Sequence, residues 1–187
     1  MSPREDDRVR RAPGLSRRCG DLMAGGVAIQ PVRTPADLQA TADLFRAYAA
    51  SLPVDLGYQD FASEVEGLPG KYAPPAGEIL LARDAAGEPL GCVGLRAIAS
   101  AEGVCEMKRL FLHPNGRGIG LGRALAGAIV GEARRIGYRE IRLDTLPTMT
   151  AALALYERMG FARIAPYYAP TPSGTIFMAL RLDGGGA

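Results

Sequence analysis

Leu110-Phe111-Leu112-His113-Pro114-Asn115-Gly116-Arg117-Gly118-Ile119-Gly120-Leu121-Gly122-Arg123 is the stretch from which the fold can be read. It opens as an apolar strand, stops at a proline, and passes through four alternating glycines into a segment of helical period. There Leu121, Leu125, Ile129, Ala133 and Ile136 form one stripe, and Gly137 supplies a C-terminal stop. Glycine has no Cβ, so a ligand can approach the backbone amides of such a loop closely. The first N–H groups of the following helix lack intrahelical partners and lie at the positive end of its dipole. The combination suits a phosphate or pyrophosphate, and Arg117 and Arg123 add charge. The residues alone leave open a turn without a ligand, a nucleotide loop, or a loop for another phosphate-bearing cofactor. A Walker loop requires Gly-Lys-Ser/Thr, and no lysine is present in the loop. A Rossmann fingerprint requires G-x-G-x-x-G. Counted from Gly116, Gly118 or Gly120, its third glycine falls on Leu121, Arg123 or Leu125. Asp144 does stand at the end of the next strand, where a ribose-binding acid would sit, so a dinucleotide-binding oxidoreductase remains the runner-up.

Moving outward, Val104–Leu112 is preceded by two further strand patterns, Glu78–Arg83 and Leu90–Ile98, joined by turns at Asp84–Pro89 and Ser100–Gly103. Before them, Val27–Val32 reads as a short strand. Thr34-Pro35-Ala36-Asp37 then starts a helix over 35–51, with a hydroxyl cap, a proline in the first turn and an acid three residues after the cap. A second short helix is expected over 58–66, followed by a Gly/Pro-rich loop. After the long helix, Arg139–Asp144 alternates as a strand, a helix runs over about 149–159, and Phe161–Ile164 and Thr175–Leu182 close the sheet. The order is β-α-α-β-β-β-α-β-α-β-β, an α/β domain.

The chain has 187 residues, 48% of them apolar, enough for one domain with its own core. Six arginines and four acids fall in residues 1–26, so the 22 basic and 20 acidic groups of the whole leave 16 of each in residues 27–187. A neutral domain carries no electrostatic footprint for nucleic acid. Residues 1–26 are expected to be a disordered extension, 27–183 the domain, and 184–187 a flexible tail. Apolar runs are too short for a membrane span. Three cysteines without a CxxC pair point to a reducing cytoplasm, and the single histidine, His113, argues against a multi-histidine metal centre.

Arg117-Gly118-Ile119-Gly120-Leu121-Gly122 is similar to the Q/R-x-x-G-x-G/A signature of the GNAT family of N-acetyltransferases. Leu110–Pro114 resembles that family's strand before the loop, and Leu155-Tyr156-Glu157-Arg158-Met159-Gly160-Phe161 resembles its L-Y-x-x-x-G-F element. The two motifs come in the family's order with one helix and one strand between them. The resemblance implies a mixed, mostly antiparallel central sheet flanked by helices. It implies an acetyltransferase that moves the acetyl group of acetyl-CoA to a primary amine of a small molecule, by direct attack in a ternary complex. No metal is implied, and a homodimer is allowed. A non-catalytic acetyl-CoA-binding regulator is the other function compatible with the motifs.

By the same resemblance, backbone groups of Leu110, Phe111 and Leu112 pair with the pantetheine arm as an added strand. The loop is taken to force the neighbouring strands apart there. Amides of Arg117, Gly118, Ile119, Gly120, Leu121, Gly122 and Arg123 hold the pyrophosphate. Tyr156 is the candidate general acid for the leaving thiolate, and Glu106 the candidate base for the acceptor ammonium. Strand alternation is expected to put Glu106 on one face with Lys108 and Leu110. The family often carries an asparagine where this chain has Met149. Tyr58, Phe61, Tyr72, Tyr167 and Tyr168, with Lys108 and Arg109, are expected to form aromatic walls and a cationic floor suited to an amine bearing a carboxylate. His113 is read as a surface residue.

Overall fold

A computed structural model describes residues 22–24 and 26–183. Its sheet has eight strands in the order β1-β2-β3-β4-β5-β6-β8-β7. They are β1 Leu22–Ala24, β2 Val27–Pro31, β3 Glu78–Arg83, β4 Pro89–Ala97, β5 Val104–Leu112, β6 Glu140–Thr145, β7 Ala162–Ile164 and β8 Ile176–Arg181. The helices are α1 Pro35–Ser51, α2 Phe61–Glu66, α3 Leu121–Ile136 and α4 Thr150–Arg158. Every strand pairing is antiparallel except β5 with β6. The mixed, mostly antiparallel sheet is therefore the one the sequence implies, and a doubly wound parallel sheet for a dinucleotide is excluded. Leu22–Ala24, inside the stretch expected to lack structure, pairs with β2; residues 1–21, 25 and 184–187 lie outside the described residues. The segment expected as one helix over 58–66 is a 3-10 turn at Leu56–Gln59 followed by α2, with Asp60 left-handed between them.

The capping signal at α1 is realised in full: Thr34 accepts from the Asp37 amide, and the Asp37 carboxylate accepts from the Thr34 amide. The apolar stripe of α3 covers one sheet face, where Leu121, Leu125, Ile129 and Ala133 are buried among Leu80, Val93, Cys105, Met107, Ile141 and Leu143. On the other face α1 and α2 bury Phe45 and Val65 against Ile79, Leu81, Cys92 and Phe111.

One irregularity shapes the centre of the sheet. Between the pairs Cys92–Phe111 and Gly94–Lys108, β4 passes one residue while β5 passes two, Arg109 and Leu110. This is a β-bulge, and Arg109 takes φ 58°, a left-handed conformation unusual for a residue with a side chain. The extra residue resets the alternation. Leu110 and Leu112 pack on the α3 side with Cys105 and Met107, so Glu106 and Lys108 lie on the face opposite Leu110, contrary to the expectation from simple alternation. The bulge also bends β5 away from β6. Their pairing ends at Glu106 with Arg142, although β5 runs on to Leu112 and β6 to Thr145. The strands thus part at a bulge inside β5, upstream of the glycine loop that was expected to separate them.

Candidate active site

The parted strands form a cleft. Met107–Leu110 and Leu143–Thr145 form its walls, Tyr48 and Leu52 of the α1 end close one side, and Met149 and Tyr156 close the other. It continues along Leu110, Phe111 and Leu112 to Arg117, Gly118 and the start of α4 at Thr150–Ala152. Past Glu106, the β5 edge facing β6 makes no ladder bonds, so its backbone groups are available to an extended ligand.

At the far end, the glycines do different jobs. A Cβ on Gly116 would come within 2.7 Å of the Leu90 carbonyl, so this glycine permits the loop to pack on β4. Gly118 and Gly120 take φ 79° and 80° and face open space, where a side chain would meet nothing within 4 Å. They serve the turn and leave the approach clear. Gly120 is the N-cap of α3, and no side chain caps that end. The first-turn amides of α3, from Leu121 to Arg123, therefore point outward. Ile119, 55% exposed, stands beside them. Arg117 lies back with its Nε on the Leu112 carbonyl at 3.4 Å. His113 is half-buried and structural, its Nδ1 accepting from the Asn115 amide at 3.3 Å.

Tyr156 reaches the cleft from α4, with its ring packed on Phe161 at 5.7 Å and only 6% of the residue exposed. Burial, with the Asp144 carboxylate nearby, pushes its hydroxyl well above the ordinary tyrosine range. The phenol thus stays protonated. Its hydroxyl has no hydrogen-bond partner among the described residues and is available as a donor.

Glu106 is placed differently from its expected role. It is 2% exposed and does not line the cleft. Its Oε2 accepts from Arg96 Nε at 2.9 Å, and its Oε1 accepts from the Tyr167 hydroxyl at 2.6 Å with Lys108 Nζ at 3.6 Å. A carboxylate with both oxygens occupied by donors is poorly placed to take a proton from an amine.

The cationic floor is likewise neutralised. Arg109 makes a two-pronged ion pair with Glu64, each contact 2.8 Å, and Tyr72 donates to the same carboxylate. Burial raises the Glu64 carboxyl, but the Arg109 hydrogen bonds and charge outweigh it and hold the group below the usual range. Lys108 Nζ donates to Asp144 Oδ1 at 2.7 Å. Of the expected aromatic walls, Tyr72 is core and Phe61 stacks under the Arg109 guanidinium at 5.1 Å. Tyr167 and Tyr168 pack on Phe177, and the Tyr58 side chain lies outside the described ones. Tyr48 lines both ends of the cleft, yet no motif in α1 marks it in the sequence. Asp144, placed by the sequence where a ribose-binding acid would sit, is a wall of this cleft. Among the described residues no cluster of metal-ligating side chains is present, and no helix is long and apolar enough to cross a membrane.

The model of the acetyltransferase (GNAT) family matches residues 41–161. An uncharacterized N-acetyltransferase of Schizosaccharomyces pombe is 36% identical over 162 residues, covering 87% of this chain and 99% of that one. A solved structure of a proposed acyl-CoA N-acyltransferase from Klebsiella pneumoniae superposes with a TM-score of 0.65 at 30% identity, covering 83% of this chain and 97% of the other. A proposed acetyltransferase from Salmonella typhimurium, solved with acetyl-CoA, shares the fold at 21% identity and a TM-score of 0.62, over 87% and 97% of the two chains.

Proposed function

Because the chain belongs to the GNAT acetyltransferase family, we propose that it transfers the acetyl group of acetyl-CoA to the primary amine of a small molecule, by direct attack in a ternary complex. The observation that carries this reading is the open edge of β5 at Leu110–Leu112 running straight into the uncapped start of α3. An arm with amide groups can add to the edge as a strand, and a pyrophosphate can accept from the amides between Arg117 and Arg123. Gly118 and Gly120 leave that approach clear of side chains.

When bound, acetyl-CoA supplies a thioester carbonyl; the amine nitrogen bonds to its carbon, the C–S bond breaks, and one proton per turnover passes to solvent as free thiol is formed. Tyr156 directs its hydroxyl toward the leaving sulfur. A coenzyme thiol titrates at about 8.5, far below this buried phenol, so complete proton transfer from Tyr156 would run uphill. Tyr156 therefore acts as a hydrogen-bond donor to the developing thiolate, and solvent completes the protonation. Glu106 contributes by fixing Arg96, Tyr167 and Lys108 around the acceptor end of the cleft.

Calorimetry with acetyl-CoA and NAD, followed by thiol-release assays over a panel of amines, tests the reading. Binding of acetyl-CoA with amine-dependent thiol release is expected. Binding without release from any amine would favour a non-catalytic sensor instead.

A further inference from the structure

Arg109 stands where a bulge of this kind ordinarily has a glycine. It is the first of the two residues that β5 passes between the Gly94–Lys108 and Cys92–Phe111 pairs, and its φ is 58°. Glycine takes this left-handed conformation without strain, whereas a residue with a Cβ favours the right-handed form of the same bulge. The arginine side chain offsets that difference. Its Nε and Nη2 donate to the two oxygens of Glu64, at 2.8 Å each, and the guanidinium lies 5.1 Å from the Phe61 ring and 5.9 Å from the Tyr48 ring. We propose that Arg109 is a positioning residue for the acetyl donor: the Glu64 clamp holds it left-handed, and that conformation aims the peptide groups of Lys108, Arg109 and Leu110 along the open edge of β5.

The inference rests on the acetyl-transfer reading above and deepens it by naming what shapes the donor's strand. Lys108, Arg109 and Leu110 line the cleft where β5 has parted from β6. Turning residue 109 from left- to right-handed keeps the register, so Leu110, Phe111 and Leu112 stay on their faces. It does rotate the peptide planes on either side of Arg109. An arm that adds as a strand meets a fixed row of donors and acceptors, and a rotated peptide presents the wrong group to it. Strained backbone of this kind persists only where the surrounding structure over-determines it.

A chain of contacts that begins in β4 does this here. Tyr72 packs over Gly94, where a Cβ would come within 2.6 Å of its ring. The Tyr72 hydroxyl donates to Glu64 Oε1 at 2.8 Å, so the carboxylate is aimed toward Arg109 by a partner of its own. Glu64 belongs to α2, whose six residues are too few to hold a helix unaided, so its place depends on such contacts. From the other side the Cys92 thiol donates to the Arg109 carbonyl at 3.7 Å. Arg109 is 5% exposed, and the other acids nearby are engaged, Glu106 with Arg96 and Asp144 with Lys108. Both the carbonyl and the guanidinium of the bulged residue are thus fixed by partners outside β5.

The test is calorimetry with coenzyme A on the full chain, comparing Glu64→Gln/Arg109→Gly with Glu64→Gln/Arg109→Ala below their thermal transitions. Removing both partners leaves no buried charge unpaired, and the two variants differ by one methyl group at residue 109. Glycine populates the left-handed region about as readily as the right-handed one, so its variant should bind coenzyme A within about twofold of wild type. For alanine the left-handed form is disfavoured by roughly 5–30-fold, and affinity should fall by that factor because only the left-handed fraction is competent. Glu64→Gln/Arg109→Asn, whose side chain tolerates that region, should fall between the two. Any two of the three that fold suffice to test the order. An arginine that serves stability alone would shift their melting temperatures and leave their affinities equal. A glycine or asparagine variant that binds no more tightly than the alanine variant would therefore overturn the proposal. Failure of wild type to bind coenzyme A would instead overturn the acetyl-transfer reading.

Discussion

Gly120 separates what the loop does for the fold from what it does for a ligand. Its φ of 80° is strained for an L-residue, yet a Cβ there would meet nothing within 4 Å. The cost of Gly120→Ala is therefore conformational alone, about 1–2 kcal/mol. For a domain of this size that lowers Tm by roughly 2–8 °C. Asparagine tolerates the left-handed region better than alanine, and its amide oxygen can cap the α3 amides that nothing caps now. Gly120→Asn should thus be more stable than Gly120→Ala. For acetyl-CoA the ranking should reverse. The asparagine side chain is bulkier and competes for the amides that would hold the pyrophosphate. Losing one such charge-assisted hydrogen bond costs about 1.5–3 kcal/mol, or about 10–100-fold in Kd. Thermal denaturation gives the first ranking and calorimetry the second. An asparagine variant that binds acetyl-CoA as tightly as wild type would refute the assignment of this loop.

Tyr156→Phe keeps the packing on Phe161 and removes one hydrogen bond to the leaving sulfur, so kcat should fall about 10–100-fold with little change in Tm; stopped-flow thiol release measures it. Glu64→Gln leaves the Arg109 guanidinium buried without its counter-charge and should cost about 3–5 kcal/mol in denaturant unfolding. Glu64 has a folded pKa below its unfolded one, so the stability it confers is complete above the unfolded carboxyl range and is lost as pH falls through the folded value. The acid limb of an unfolding-versus-pH curve should therefore lose this contribution in Glu64→Gln.

The order of elements was legible because local signals agreed with the tertiary outcome. The Thr34–Asp37 box, the α3 stripe and the stop at Gly137 each dictate a boundary from a few residues, and the structure places boundaries there. The bulge at Arg109 was not legible. No glycine, proline or asparagine marks it, and an arginine at φ 58° is held by partners distant in sequence: the Glu64 carboxylate on its side chain and the Cys92 thiol donating to its carbonyl at 3.7 Å. Missing that single residue misassigned the face of every side chain after it. It made Glu106 look like a neighbour of Leu110 and a free base, when it belongs to the far face and to Arg96.

The apparent cationic character of the cleft in the sequence has a separate cause. Lys108 and Arg109 are adjacent in the chain, and their acids come from elsewhere, Asp144 from β6 and Glu64 from α2. Three buried or half-buried cations, Arg96, Lys108 and Arg109, meet three carboxylates, Glu106, Asp144 and Glu64. Buried ion pairs of this kind seldom stabilise a fold more than apolar side chains of similar volume would, so the core alone gives no reason for them. What they provide is a set of charges fixed before any ligand arrives, which need no reorganisation as charge moves during attack on a carbonyl.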